Sequence, residues 1–217
     1  MRPIVLPVKS LDASKTRLGG VLEPLERAAV TLAMLEDVLD VTLAMPGWET
    51  WVVSPDEAVL EVSRQRGADT LVEEQPPLGE AIRQAEDEAV GRGADALAVL
   101  LPDTPLVTPA ALLRALHTLG PIVLAPSADE RGTNFLLRRP STIMTARFGP
   151  NSYRRHLDEA AERELPVAVV TQAELAFDVD APNDILTVLQ SARPTRTRQV
   201  LRELRIDERM STPAAGA

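Results

Sequence analysis

Cysteine is absent from this chain of 217 residues. That excludes disulfides, zinc–thiolate centres and thiol nucleophiles, and it fits a reducing compartment. Histidine is scarce, with 2 in all, so acyl transfer through an activated nucleophile and an assigned base has few candidate groups. Long apolar runs are missing as well. The longest unbroken one is Ala96 to Leu101, far short of the roughly 20 residues that a spanning helix needs. The start Met1-Arg2-Pro3 leads only into Ile4-Val5-Leu6, too short for a signal peptide, so the expected address is the cytoplasm. Basic residues are outnumbered, 23 Lys and Arg against 32 Asp and Glu, for a net charge of -9. This balance disfavours broad binding to nucleic acid or to an anionic membrane, so any phosphate site has to be local.

What is present is ordinary globular composition, 45% hydrophobic and 25% charged. Short β-branched runs alternate with longer helical patterns, which predicts an α/β fold with a mostly parallel sheet covered by helices on both faces. Strands are expected at Ile4–Val8, Thr50–Val53, Thr70–Val72, Ala96–Leu101, Ile122–Ala125, Asn134–Leu137 and Val167–Val170. Helices are expected near Pro24–Leu43, Pro55–Arg66, Gly79–Val90, Pro109–Leu119, Tyr153–Glu164 and Pro182–Ala192. The run Ala96–Leu101 is apolar on both faces and belongs at the centre of the sheet. Residues 1–192 read as one domain. The extension from 193 to 217 is basic, with six arginines and three acids between Arg193 and Arg209. Val200, Leu201 and Leu204 there form a stripe suited to docking on the core or on a second subunit, which would make a homodimer, and Ser211–Ala217 is expected to fray.

Chemistry is expected at the carboxyl ends of the strands, where open α/β sheets bind ligands. The loop after the first strand carries Lys9, Lys15 and Arg17 ahead of Gly19-Gly20. It is no Walker motif, but its backbone and cations suit a polyphosphate as well as they suit a solvated turn. Asp103 follows the most apolar strand and is placed to project into the crevice, or simply to start a turn with Pro105. In Asp178-Val179-Asp180 a period of two sends both carboxylates to one face and Val179 to the other. Two adjacent anions of this kind match a hard divalent ion such as Mg²⁺, unless Asp180 caps the following helix; Asp184 is assigned to that capping role. Arg131-Gly132-Thr133-Asn134 and Phe148-Gly149-Pro150-Asn151-Ser152 are two glycine turns offering hydroxyls and backbone N–H groups to an anion. The second opens a helix whose expected inward stripe is Tyr153, Leu157, Ala160 and Ala161. Ser152 is equally suited to ordinary capping there, and His156, one turn on, is a minor candidate.

Taken together, Val8-Lys9, Ser14-Lys15-Thr16-Arg17-Leu18, Pro102-Asp103-Thr104-Pro105-Leu106, Gly132-Thr133-Asn134, Phe148-Gly149-Pro150-Asn151-Ser152 with His156, and Asp178-Val179-Asp180-Ala181-Pro182 resemble the phosphoenolpyruvate/2-phospho-L-lactate guanylyltransferases of coenzyme F-420 biosynthesis. The similarity runs from Pro3 to Leu189. It implies a Rossmann-like nucleotidyltransferase sheet and transfer of GMP from GTP to a phosphorylated acid with release of pyrophosphate. By the same resemblance Asp103, Asp178 and Asp180 hold Mg²⁺, Lys15 and Arg17 steady the GTP phosphates, with Lys9 beside them, and Thr133, Gly149 and Ser152 bind the acceptor. Leu78 and Gly79 stand where the family usually shows Leu-Asn, so any guanine contact there is through backbone. Pro102 stands where a small residue commonly precedes the first aspartate. Two rival readings stay open: an Mg²⁺-dependent sugar-nucleotide glycosyltransferase using Asp178-Val179-Asp180 as its D-x-D pair, and a nucleotide-binding protein without catalysis.

Overall fold

The computed structural model describes residues 1–211. Seven strands form one sheet: β1 (Pro3–Pro7), β2 (Glu49–Ser54), β3 (Asp69–Val72), β4 (Leu97–Leu100), β5 (Ile122–Pro126), β6 (Thr133–Arg138) and β7 (Val167–Val169), in the order β3-β2-β1-β4-β6-β5-β7. The fourth position falls to β4, all four of whose residues are buried, as its two-sided apolar character predicts. All pairings are parallel except those of β6, which runs antiparallel to both β4 and β5. The carboxyl end of β4 therefore lies beside the amino end of β6, and the Leu101 amide donates to the Asn134 carbonyl at 2.9 Å.

The helices are α1 (Pro24–Thr42), α2 (Glu57–Arg66), α3 (Leu78–Gly91), α4 (Pro109–His117), α5 (Ser152–Glu162), α6 (Ala173–Ala176), α7 (Pro182–Gln190), α8 (Arg196–Glu203) and α9 (Ile206–Ser211). Their starts follow local chemistry. Pro24 and Pro109 occupy the first turns of α1 and α4, where a missing N–H costs no bond, and Thr108 accepts from the Ala111 amide at 3.1 Å. The strand period of two sorts side chains between two cores. Ile4, Leu6, Ala98 and Leu100 meet α1 and α4 on one face, while Val5, Leu97 and Val99 meet α3 and α5 on the other.

A third apolar cluster gathers Leu18 and Leu22 of the first loop, Met34 of α1, Val179, Ile185 of α7 and Leu201 of α8. It fastens the basic loop and the second acidic motif to one another. The basic extension contributes to it directly: Leu201 is fully buried and Val200 and Leu204 pack against the same cluster. Helix α8 is thus seated on α1 of its own chain. The carboxylate of Asp37, buried in α1, accepts from the Arg196 amide at 2.7 Å, the Thr197 amide at 2.9 Å and the Thr197 hydroxyl at 2.6 Å. This satisfies amides that the α8 N-terminus would otherwise leave unpaired. Of the segment expected to fray, Thr212 to Ala217 lies outside the described residues.

Replacing Asp37 by Ala leaves the buried Thr197 amide and hydroxyl and the part-buried Arg196 amide without this acceptor. The expected loss of stability is about 2 kcal/mol, the usual range for a buried cap with charge-assisted bonds. Urea unfolding checks it: a lower midpoint at unchanged m value is the expected result, and an unmoved midpoint would mean that α8 is held by its apolar face alone.

Candidate active site

A cavity of about 850 Å³ opens where β1 and β4 end and β6 begins. Its wall includes Asp103, Asp178 and Asp180, the motif spacing having brought together residues far apart in the chain. One carboxylate oxygen from each lies within 4.8 Å of the others, the one group among the described residues placed to hold a metal ion. The convergence has a backbone cause. The Val179 amide donates to the Asp103 carbonyl at 3.0 Å, and the fully buried Val179 side chain anchors the segment, so its neighbours Asp178 and Asp180 both turn to the cavity.

Asp180 does not cap α7. The cap is supplied by Asp184, which accepts from the Asp180 amide at 2.9 Å and the Ala181 amide at 2.6 Å. Asp180 is left for charge. The Lys15 ammonium sits 2.6 Å from Asp103 and 2.9 Å from Asp180, and Arg17, largely exposed, reaches Asp180 at 3.5 Å. Burial alone would lower the Lys15 pKa, yet the two carboxylates outweigh it and hold the value above the ordinary one. Lys15 adopts φ 52, a left-handed turn that aims its side chain inward.

Asp178 has no cation within ion-pair range among the described residues. Its carboxyl is pushed up to about 6, by burial first and then by the charge of Asp103, against the pull of a hydrogen bond from Asn134 at 3.2 Å. Asp103 Oδ1 is buried with no hydrogen-bond partner among the described residues. A carboxylate oxygen without a donor, beside a second carboxyl reluctant to ionise, is a donor set suited to a hard cation, and the residues fit a divalent ion.

The remaining wall mixes neutral groups with the charged pair Asp129 and Arg131. Thr133 opens β6, and its hydroxyl lies 2.9 Å from Nδ1 of His156, a ring fully buried in α5. Gly149 takes φ 116, a conformation that favours glycine, and its carbonyl accepts from the Ser152 amide at 3.1 Å. The turn before Thr133 is equally constrained, because a Cβ on Gly132 would lie 2.9 Å from Ser127 Oγ. The start of α5 differs from expectation. The Ser152 and Tyr153 amides donate to Gly149 and Arg131 carbonyls, so they are not free for an anion, and the N-cap is Asn151, whose side chain makes no capping bond. The buried face of α5 is Ser152, His156, Glu159 and Ala160, while Ala161 is exposed. Of the expected stripe, Ala160 is buried and Tyr153 and Leu157 pack against the same core, so only Ala161 departs from it; the helix also buries polar groups, and Glu159 accepts from Arg147 at 2.9 Å and from Arg163 at 2.8 Å.

Lys9, Leu78, Thr133, Gly149 and Ser152 all lie on the cavity wall with the aspartates, Lys15 and Arg17. Gly79 does not; it falls inside the first turn of α3, and Leu78 alone reaches the wall. Asn134, quoted only as part of a motif, proves central: its amide nitrogen lies 3.0 Å from each of the Leu175 and Ala176 carbonyls as well as bonding Asp178. A polar residue fully buried at the start of β6, next to the apolar Phe135–Leu137, was the signal for it.

A family model described as "Guanylyl transferase CofC like" matches residues 1–216. The chain belongs to this guanylyl transferase family. Among its relatives, the phosphoenolpyruvate guanylyltransferase of Rubrobacter xylanophilus is 40% identical over 184 residues, covering 83% of this chain and 90% of that one. The 2-phospho-L-lactate guanylyltransferase of Methanothermobacter thermautotrophicus is 36% identical over 204 residues, covering 93% and 90%. In fold, the chain is similar to the crystal structure of a nucleotide-diphospho-sugar transferase, so described as putative, from Desulfovibrio desulfuricans, with a TM-score of 0.75 at 21% identity over 95% of this chain and 97% of that one. The CofC-like match extends beyond Leu189 through α8 and α9, which agrees with their packing on α1.

The His156 ring is pushed down to about 3, by burial first and then by Arg138 and Arg155, with Arg147 adding to them and Glu159 opposing. An unfolded histidine takes its proton near about 6.5, so the unfolded chain binds the extra proton; stability is full above that pH and lost as pH falls toward about 3. Urea midpoints at about pH 7.5 and about pH 5 should differ more in the parent than in His156→Gln, which cannot titrate. Equal differences would show that the ring is free to charge in the fold.

Proposed function

We propose that this chain transfers GMP from GTP to the phosphate of a small phosphorylated carboxylic acid, phosphoenolpyruvate or 2-phospho-L-lactate, within coenzyme F-420 biosynthesis. The observation that carries the reading is the convergence of Asp103, Asp178 and Asp180 in one cavity that Thr133, Gly149 and Ser152 also line. An oxygen of the acceptor phosphate attacks the α-phosphorus of GTP, the bond from that phosphorus to the bridging oxygen breaks, and pyrophosphate leaves. The product is a guanylylated diphosphate.

Asp103, Asp178 and Asp180 would hold Mg²⁺, which supplies charge neutralisation at phosphate oxygens when bound. Lys15 stays an ammonium in its acidic surroundings and, with Arg17 and Lys9, offsets charge on the triphosphate and the departing pyrophosphate. Leu78 offers its backbone and side chain to the base. Thr133, Gly149 and Ser152 orient the acceptor. No general base is required of the protein, because a phosphate monoester with a second pKa of about 6 is largely ionised near neutrality. A buried, neutral His156 is consistent with that economy.

Incubation with GTP and, in turn, phosphoenolpyruvate, 2-phospho-L-lactate and 3-phosphoglycerate should release pyrophosphate with at least one acceptor. Hydrolysis of a UDP-sugar without pyrophosphate would favour the glycosyltransferase instead, and binding of GTP without turnover a non-catalytic role. Asp103→Asn should lower kcat by about 100-fold or more while the far-UV spectrum is retained, since charge neutralisation is removed and the core is not. Ser152→Ala should raise the acceptor KM roughly tenfold and leave the GTP KM within about twofold. Equal changes in both would refute the division of the cavity.

A further inference from the structure

We propose that His156 is a positioning residue that commits the Thr133 hydroxyl to donate a hydrogen bond into the cavity, toward the anionic acceptor. The inference rests on the reading of Thr133 as an acceptor contact. It begins at the far side of the ring, where the Arg147 amide donates to Nε2 at 2.8 Å. A nitrogen that accepts from a backbone N–H carries a lone pair and no proton. A neutral imidazole has one N–H, which must therefore be on Nδ1. Nδ1 lies 2.9 Å from Thr133 Oγ1, so the ring donates and the hydroxyl accepts.

The consequence falls on the hydroxyl hydrogen. It is turned away from His156, and no other group among the described residues receives it, while Thr133 itself lines the cavity. A free hydroxyl is a rotor that donates or accepts as its surroundings dictate. Carboxylate and phosphate oxygens present only lone pairs, so a rotor fixed as donor matches them before they arrive. The same ring stands edge-on to Phe148, at 5.0 Å between centroids and 74° between planes, and holds the Arg147 amide two residues ahead of Gly149. One buried imidazole thus links the start of β6 to the turn bearing Gly149. Its full burial and the neighbouring Arg138, Arg147 and Arg155 keep it from becoming an imidazolium, which would place an N–H against the Arg147 amide.

Two measurements test this. In protein labelled with ¹⁵N-histidine near pH 7, the His156 ring should show a protonated Nδ1 and an unprotonated Nε2; the opposite tautomer, or a doubly protonated ring, overturns the proposal. In kinetics, His156→Gln keeps a group that can accept from the Arg147 amide but withdraws the donor from Thr133, whereas His156→Asn restores an N–H near the Nδ1 position. The Gln variant should raise the acceptor KM roughly tenfold with the GTP KM unchanged, and the Asn variant should recover to within about threefold of the parent. In a Thr133→Val background, His156→Gln should add nothing. The same added loss in both backgrounds means that His156 serves only the fold, and the proposal fails. If His156→Gln does not fold, the Asn variant and the ring measurement still decide. If the parent releases no pyrophosphate from GTP with any of the acceptors, the guanylyl-transfer reading falls, while the tautomer measurement judges His156 separately.

Discussion

Carboxylates brought this close repel one another, and most of the local architecture follows from the need to bear that repulsion. Two unit charges about 5 Å apart interact by about 3 kcal/mol at the effective dielectric of a protein surface. Lys15, bonded to both Asp103 and Asp180, opposes this for two of the three acids. The third has no such partner. Burial first and the charge of Asp103 next push the Asp178 carboxyl up to about 6 despite the more distant pull of Lys15, which makes the triad a site that a divalent ion would complete.

The backbone has to hold those groups together against their mutual repulsion, and it does so through groups with no charge. The amide of Val179 bonds the carbonyl of Asp103, and the Val179 side chain is buried with Leu18, Met34 and Ile185. One apolar cluster therefore fixes the loop carrying Lys15 and the segment carrying Asp178 and Asp180. Asn134 adds a second clamp, joining the start of β6 to the Leu175 and Ala176 carbonyls. The C-terminal helices reinforce the same cluster through Leu201 and Ile206, so a segment remote from the cavity contributes to its rigidity.

The acidic half of the site was readable because its determinants are local. A two-residue period fixes which way Asp178, Val179 and Asp180 point, and a run apolar on both faces fixes the central strand that delivers Asp103. The Lys15 pairings span 88 and 165 residues, and no local pattern encodes such a contact. The antiparallel insertion of β6 between β4 and β5 is hidden for the same reason, since strand pairing is a long-range choice. On α5 the apolar periodicity found Tyr153, Leu157 and Ala160 on the packed face but not the buried His156 and Glu159 beside them, whose partners Thr133, Arg147 and Arg163 come from elsewhere in the chain or the helix end. The helix expected from Gly79 begins one residue earlier, at Leu78, and carries Gly79 off the cavity wall.

The cavity is thereby divided by the kind of group on each wall, and the division bears on selectivity. The side formed by Lys9, Lys15, Arg17 and the three aspartates is charged, and it is strongest toward ligands that bring several phosphates and a cation together. Thr133, Gly149 and Ser152 are themselves neutral, beside the charged pair Asp129 and Arg131, and are held by glycine geometry and buried hydrogen bonds. Neutral donors discriminate by position more than by charge, since a donor left unpaired is costly and a misplaced oxygen leaves it so. A small acid would then be selected by where its oxygens fall, and a triphosphate by how much charge it brings. On the proposed guanylyl transfer, two anionic substrates would share one opening in an acidic protein because each would be recognised by a different physical property.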